Sequence, residues 1–421
     1  MKKTETDTIQ LKNQTNQGSD NMKGWEIKKL GEVCEYDKAP NKKIDLPYVG
    51  LEDIQSNTGL LIGSLKPRSV KSLTFRFTNE HVLYGRLRPY LNKVLLPDFE
   101  GHCSTEIFPI KPKKGILDRT YLFHWLISNE TMTKINATWT GATLPRANMN
   151  SVLDFSFIIP SLSEQRRIVS ILDEAFAAIA RAKANAEQNL KNAKELFESY
   201  LQGVFENGNW EKKELREITT ILGDGLHGTP KYSVDGDYYF INGNNLNDGR
   251  IGFKENTKRV NVNEFNKYKK ILTDRTVLVS INGTLGNVAF YNGEKIILGK
   301  SACYFNLKDS VDKGFVKYVL SSPYFINYAH REATGATIKN VSLKSMREFR
   351  VPLPTIQEQQ TIVRQLDALR AETKRLEAIY QQKLLNLEQL KKSVLQKAFN
   401  GELTGRELVE PKTEIAEKIK T

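Results

Sequence analysis

Two long stretches of the chain carry the same helical pattern of apolar and polar positions. In Leu162–Phe205 the apolar stripe runs Ile168, Leu172, Ala175, Ile179, Ala182, Ala186, Leu190, Ala193, Leu196 and Tyr200. In Pro354–Phe399 it runs Ile362, Leu366, Leu369, Leu376, Tyr380, Leu384, Leu387, Leu390, Val394 and Ala398, with Thr373 as a polar break. Most steps are of three, four or seven residues, which predicts two amphipathic helices with a heptad-like rhythm. Ser161-x-x-Glu164 and Thr355-x-x-Glu358 predict a capping box at each start. The prolines just before them stop either helix from running backwards. Gly208 and Gly401 stand just past the ends, where a left-handed residue is expected.

The two stretches are copies of each other. The offset between Pro160 and Pro354 is 354 − 160 = 194, and Glu164/Glu358 and Phe205/Phe399 keep it. At ~1.5 Å per residue each helix is a rod of roughly 60 Å. Each rod has an apolar stripe to cover, one Ala-rich and the other Leu-rich. This predicts an intramolecular antiparallel coiled coil. Two independent dimerisation helices are the alternative.

The repeat extends beyond the rods. Trp25 and Trp210 open similar segments, GWEIKKLGEVCE and NWEKKELREITT, at an offset of 210 − 25 = 185. The offset is 195 from Val82 to Val277, 200 from Cys103 to Cys303, and 194 again at the two TGAT segments. Insertions therefore fall in the globular parts and none in the rods. Each globular part reads as α+β with short strands. In the first, strands are expected at Pro47–Ile54, Val82–Gly85, Asn92–Leu96, Glu106–Ile110 and Phe155–Ile159, with a helix over Asp118–Ile135. In the second they are expected at Tyr238–Asn242, Val277–Ile281, Asn287–Tyr291, Cys303–Leu307 and Phe349–Val351, with a helix over Asp312–His330. The organisation expected is a disordered tail over 1–23, a domain over 24–160, a long helix over 161–206, a domain over 207–354, a long helix over 355–401 and a charged tail over 402–421. The fold class is α+β: two similar domains joined by two antiparallel coiled-coil helices in a pseudo-twofold repeat.

Composition narrows the function. The net charge of +13 suggests a polyanionic partner, most often nucleic acid. The three cysteines lie far apart, which excludes a disulfide framework and a cysteine metal site. The five histidines form no ligand pair. No apolar run reaches membrane-span length, and the first residues lack the apolar core of a signal peptide. A reducing cytoplasm fits. The chain carries no [DN]-P-P-[YFW] tetrapeptide for a flipped adenine and no G-x-x-x-x-G-K-[ST] phosphate loop. The Gly-rich run Gly223–Gly228 reads as a loop near DNA, and Asp235 and Asp237 around Gly236 read as a hairpin turn.

The order of domain, rod, domain, rod, with rod starts PSLSEQRRIV and PTIQEQQTIV and rod ends LQGVFENG and LQKAFNGELTG, resembles the specificity subunits of type I restriction–modification enzymes. ITTILGDGLHGTPKY, VLVSINGTLGNV and TGATIKNVS are also of that type. The resemblance covers Gly24 to Leu403. It implies two target recognition domains, each reading half of a bipartite, asymmetric duplex DNA site. The rods would set the spacer and dock two methyltransferase subunits and two restriction/translocase subunits. It implies no catalytic residue, metal or cofactor in this chain; S-adenosylmethionine, ATP and Mg would belong to the partners. The alternatives are a coiled-coil scaffold with protein-binding heads and a self-contained nuclease; the absent catalytic clusters argue against the nuclease.

Arg and Lys suit guanine, Asn and Gln suit adenine, and Lys, Ser and Thr suit phosphates. In the first domain the DNA-binding candidates are Arg86 and Arg88, at alternating strand positions that point the same way, with Tyr84 beside them. Lys66, Arg68 and Lys71 form a candidate phosphate-facing loop, and Arg146 and Asn148 follow TGAT. In the second domain the matching strand end offers Ser280, Asn282 and Thr284. His227, Thr229, Lys231, Asn242, Asn244, Lys300, Lys339 and Asn340 complete the set.

Overall fold

The computed structural model describes residues 24–403 apart from 44, 142 and 336, so the expected tail at 1–23 and most of that at 402–421 lie outside the described residues. The chain forms two compact units: one takes in the chain up to Asn185 and from Lys383 onward, the other Ala186–Gln382. Each unit holds one α+β domain, the start of the long helix that follows it and the end of the other long helix.

In the first unit, β1 (Glu26–Lys29), α1 (Leu30–Val33) and β2 (Cys34–Tyr36) are followed by β3 (Tyr48–Val49), β4 (Thr74–Phe77), β5 (Val82–Gly85), β6 (Val94–Leu95), β7 (Gly101–Ser104) and β8 (Ile107–Pro112). Helices α2 (Arg119–Ile127), α3 (Asn129–Asn136) and α4 (Met149–Leu153) lead to β9 (Ser156–Ile159) and the long α5 (Leu162–Asn207). The main sheet has the order β2-β8-β5-β6, a second sheet β3-β7-β4, and β1 pairs with β9. Val82, Tyr84, Phe108 and Ile110 face α2 across one core, to which α5 gives Ile168 and Leu172, and the far end of the chain Leu395 and Ala398.

The second unit repeats this plan. It contains β10 (Lys212–Glu214), β11 (Thr219–Asp224), β12 (Tyr238–Ile241), β13 (Leu246–Asn247), β14 (Arg250–Ile251), β15 (Arg259–Val260), α6 (Val262–Tyr268), β16 (Thr276–Ser280), β17 (Val288–Phe290), β18 (Ile296–Leu298) and β19 (Ala302–Leu307). Then come α7 (Lys313–Ser321), α8 (Pro323–Glu332), α9 (Leu343–Glu348), β20 (Arg350–Pro352) and the long α10 (Ile356–Phe399). The main sheet is β11-β19-β16-β17, the counterpart of β2-β8-β5-β6, and β10 pairs with β20 as β1 does with β9. Leu201 and Phe205 of α5 and Leu366 of α10 enter its core.

Within each unit the two long helices run in opposite directions. In the first unit Lys183 Nζ lies 2.6 Å from Glu388 Oε1 and Lys391 Nζ lies over the Phe176 ring. In the second, Arg370 lies over the Phe197 ring. Both rod starts are pinned by the same residue. Gln165 is fully buried: its Nε2 donates to Ile116 and Pro160 carbonyls, and its Oε1 accepts from Asp118 N at 2.7 Å. Gln359 does the same with Ser310, Pro354 and Asp312 N, the last at 2.8 Å. Three bonds on a buried amide leave no partner to lose without cost, since an orphaned buried group costs about 1–3 kcal/mol. The closing phenylalanines are equivalent too. Phe399 meets Tyr121 edge-on at 5.2 Å and Phe205 meets Phe315 edge-on at 5.5 Å.

Several expectations need correction. Each single helix expected after the main sheet is two, because Ser128 and Ser322 are extended (ψ 147° and 157°). Ser128 Oγ caps α3 by accepting from Thr131 N, and Pro323 occupies the first turn of α8. Leu196 and Leu390 do not join the buried stripe; they are 51% and 48% exposed. Thr373 is buried instead, and its hydroxyl donates to the Arg370 carbonyl of its own helix. The box at Thr355 is complete, with Thr355 N donating to Glu358 at 2.9 Å, whereas Glu164 turns its carboxylate to Arg167. Gly401 is left-handed (φ 73°) but Gly208 is not. A Cβ at Gly208 would come within 2.2 Å of the Trp210 ring, so close approach requires that glycine. Cys103 and Cys303 are not counterparts: the first lies in β7, the second in β19. The ladder pairs Val82 with Ile110 and Val277 with Phe305, so an offset of 195 runs through both strands and matches Cys303 to Phe108.

Candidate nucleic-acid interface

In the first domain β5 ends at Gly85 and the chain turns sharply. Arg86 N donates to the Glu106 carbonyl, Leu87 bridges Arg146, and Arg88 is left-handed (φ 51°) with its N–H on Pro145 O. Arg86 and Arg88 therefore do not share a face as strand alternation predicts. Arg86 and Arg146 instead converge on one carboxylate. Arg86 Nε donates to Glu106 Oε2 at 2.9 Å, and Arg146 Nε donates to Oε1 at 3.0 Å. Burial alone would lift the Glu106 pKa, but the two guanidiniums hold it below the usual carboxylate range. Arg88 is exposed beside this clamp. So are Tyr90 and Trp139, edge-on at 6.3 Å, a pair that base chemistry alone does not single out in the sequence.

The second domain builds the same junction from amides. Asn282 bridges Asn340 in the backbone, as Leu87 bridges Arg146, and Asn282 Nδ2 donates to Asn340 Oδ1 at 3.0 Å. Gly283 N donates to Lys339 O, so Thr284 and Lys339, both exposed, belong to the same pair of loops. Ser301 stands where Glu106 stands in the first domain: Ile281 N donates to its carbonyl as Arg86 N does to that of Glu106. The Ser301 hydroxyl donates to Asn242 Oδ1 at 3.0 Å, which turns Asn242 into its own loop and leaves Asn244 exposed.

Other candidates fall elsewhere. Tyr84 and Ser280 are fully buried, the former by sheet alternation and the latter with its Oγ accepting from Asn287 N, so neither can meet a ligand at the surface. Asn148 caps α4, its Oδ1 accepting from Ser151 N. Arg68 pairs with Glu52 and Asp53 and covers the Tyr48 ring at 4.3 Å, with Lys66 and Lys71 exposed in the same loop. His227 bonds Asp224 at 2.6 Å; Thr229, Lys231 and Lys300 are exposed. None of these hydrogen-bonds to either converging pair among the described residues. Gly223–Gly228 is only partly a loop, since β11 runs to Asp224 and Leu226 N donates to Leu298 O. A turn at Gly236 forms between Asp235 and Asp237, with Gly236 N donating to Ser233 O.

The model of the type I restriction modification DNA specificity domain matches the chain twice, over residues 22–191 and 207–386. The chain belongs to that family. Specificity subunits of type I systems are their DNA-recognition subunits and are not themselves catalytic. The chain is 21% identical over 419 residues to the MjaVIII specificity subunit of Methanocaldococcus jannaschii, covering 91% of this chain and 94% of that protein. It is 26% identical to the EcoKI specificity subunit of Escherichia coli, over 72% of this chain and 70% of that one. The fold matches a chain from a structure of complex assembly in a type I R-M system, with a TM-score of 0.73, 22% identity, and coverage of 90% of this chain and 98% of that one. It also matches the HsdS subunit of Thermoanaerobacter tengcongensis, with a TM-score of 0.65, 21% identity and coverage of 90% and 97%.

Nothing in this specificity subunit's cysteines suggests chemistry. All three are buried, and burial pushes the Cys34 thiol up to about 12 and those of Cys103 and Cys303 further. No group of three or more His, Cys, Asp or Glu that could hold a metal occurs among the described residues. No helix among them is long and apolar enough to cross a membrane.

Proposed function

We propose that each recognition domain reads one half of a bipartite, asymmetric duplex DNA target, and that the two rods set the spacer between the halves. The observation that carries this reading is the duplicated lock. Gln165 and Gln359 fix the start of each rod, and Phe205 and Phe399 fix its end, 40 residues on in both (205 − 165 = 399 − 359 = 40). A length held at both ends by contacts with a domain core suits a spacer element. Leu196 and Leu390, equivalent and exposed, suit docking of two methyltransferase subunits on the rods. Two restriction/translocase subunits complete the proposed assembly, and S-adenosylmethionine, ATP and Mg act in the partners. The assembly works in the cytoplasm.

The test is a map of N6-methyladenine in a methylation-free host that co-expresses the chain with its methyltransferase. The expected result is one motif of two short half-sites at one spacing. Deleting one heptad from α5 changes the spacing or abolishes methylation but leaves the half-sites alone. Methylation without this chain, or at a contiguous motif, overturns the reading.

A further inference from the structure

The two junctions differ in chemistry, with Asn340 in the place of Arg146 and Asn282 in the place of Leu87, and that difference points to which base each prefers. Glu106 binds Arg86 and Arg146 through Nε, the side of the guanidinium, and the Arg86 terminal nitrogens have no hydrogen-bond partner among the described residues. Arg146 Nη1 makes only a long contact of 3.4 Å, with Leu144 O. Both side chains are about a third exposed, at 33% and 39%, and the Arg86 guanidinium lies over the Phe108 ring at 5.3 Å. A pair of N–H donors on a fixed guanidinium matches the two acceptors O6 and N7 of guanine in the major groove. Holding the stem on a carboxylate removes rotamer freedom before binding.

In the second domain the internal bond uses Asn282 Nδ2 and Asn340 Oδ1. What this bond leaves unused is the acceptor Asn282 Oδ1, the donor group Asn340 Nδ2 and the second N–H of Asn282. That set complements adenine, which offers N6–H and N7.

Resting on the half-site reading above, we propose that the first domain reads guanine through Arg86 and Arg146 with Glu106 as their positioning residue, and that the second reads adenine through the Asn282–Asn340 pair. Glu106 touches no base; it aims the arginines.

Methylation maps of the complex with its methyltransferase test this. Arg146→Asn and Arg86→Gln relax a guanine in one half-site, and Asn340→Ala relaxes an adenine in the other; spacing and the opposite half stay fixed. Glu106→Gln keeps the motif but lowers methylation at every site, because the arginines remain without their anchor. A measurement on the unaltered complex guards against variants that fail to fold. Replacing guanine with 7-deazaguanine, one position at a time, removes the N7 acceptor, and weakens binding roughly five- to hundred-fold at one guanine of the first half. An unchanged two-part motif in both arginine variants, or no sensitive guanine, overturns the base assignment alone. A wild-type map with no two-part motif overturns the half-site reading, and this assignment with it.

Discussion

The two recognition domains share a frame and differ at its margin. Both main sheets have the same strand order, and both domains close with a short two-stranded ribbon formed by their first and last strands. The smaller sheets diverge: β4 joins on the β7 side in the first domain, whereas β15 joins on the β12 side in the second. A hairpin in each domain rests on the same position of the following helix, yet by different means. In the first, the turn at Gly59 packs on Phe123 so tightly that a Cβ would come within 2.4 Å of the ring. In the second, the left-handed Asp248 meets Lys317, the counterpart of Phe123, together with Arg370 and Lys374. The glutamine and phenylalanine contacts at the two ends of each rod keep their residue types across the duplication; the hairpin contacts keep only their place.

This contrast can be broken at the rod ends first. Phe205 is fully buried, so Phe205→Ala costs the second domain about 3–5 kcal/mol. Phe399→Ala costs the first domain less, because Phe399 is only half-buried. Urea unfolding followed by hydrogen exchange in each domain measures both; an equal or reversed order refutes the packing account. Gln165→Ala and Gln359→Ala come next, each costing about 1–3 kcal/mol and to a similar extent, since each frees the same three backbone partners. A large inequality between them in the same assay shows that the two rod starts are not equivalent.

The smallest effect sharpens the difference between the hairpins. Burial tends to raise the Asp248 pKa, but Arg370, Lys317 and Lys374 bring it below the usual carboxylate value. A carboxylate lowered on folding stabilises above its unfolded pKa, and that stabilisation is lost as the pH falls through the folded value. Asp248→Asn therefore weakens the second domain by about 0.5–1 kcal/mol near neutral pH in low salt. The deficit vanishes in high salt or strong acid. Thermal unfolding across salt and pH reads this out, and a salt-independent deficit contradicts the ionic account. The Gly59–Phe123 contact gives the first domain no matching salt dependence.

The rods are legible in the sequence because the duplication writes the same period twice without a gap. β5 falls at its expected bounds because Val82–Gly85 is a short apolar run before a turn. The break at Ser128 is not legible, since a serine between apolar helical positions looks like part of the exposed face until its hydroxyl is seen to cap. Arg86, Arg146, Asn282 and Asn340 stand out as candidates from base chemistry. Glu106 does not, because it lies 20 and 40 residues from its partners. Gln165 stands in plain view in the repeated Glu-Gln pair, and the repeat of an amide at the start of each rod is the available signal. The match of Cys103 to Cys303 fails because one shared letter outweighs the ladder register.

The order in which the ribosome delivers the chain gives the phenylalanine locks a temporal meaning. The second domain has every piece of its core once the start of α10, with Leu366, has been made. The first domain is made long before, yet its core lacks Leu395 and Ala398, and Tyr121 lacks Phe399, until the last turns of α10 arrive. Domains usually complete themselves from the N-terminus forward during synthesis. Here the first domain to be made is the last to close, and a ribosome that stops some ten residues short of Phe399 leaves it open.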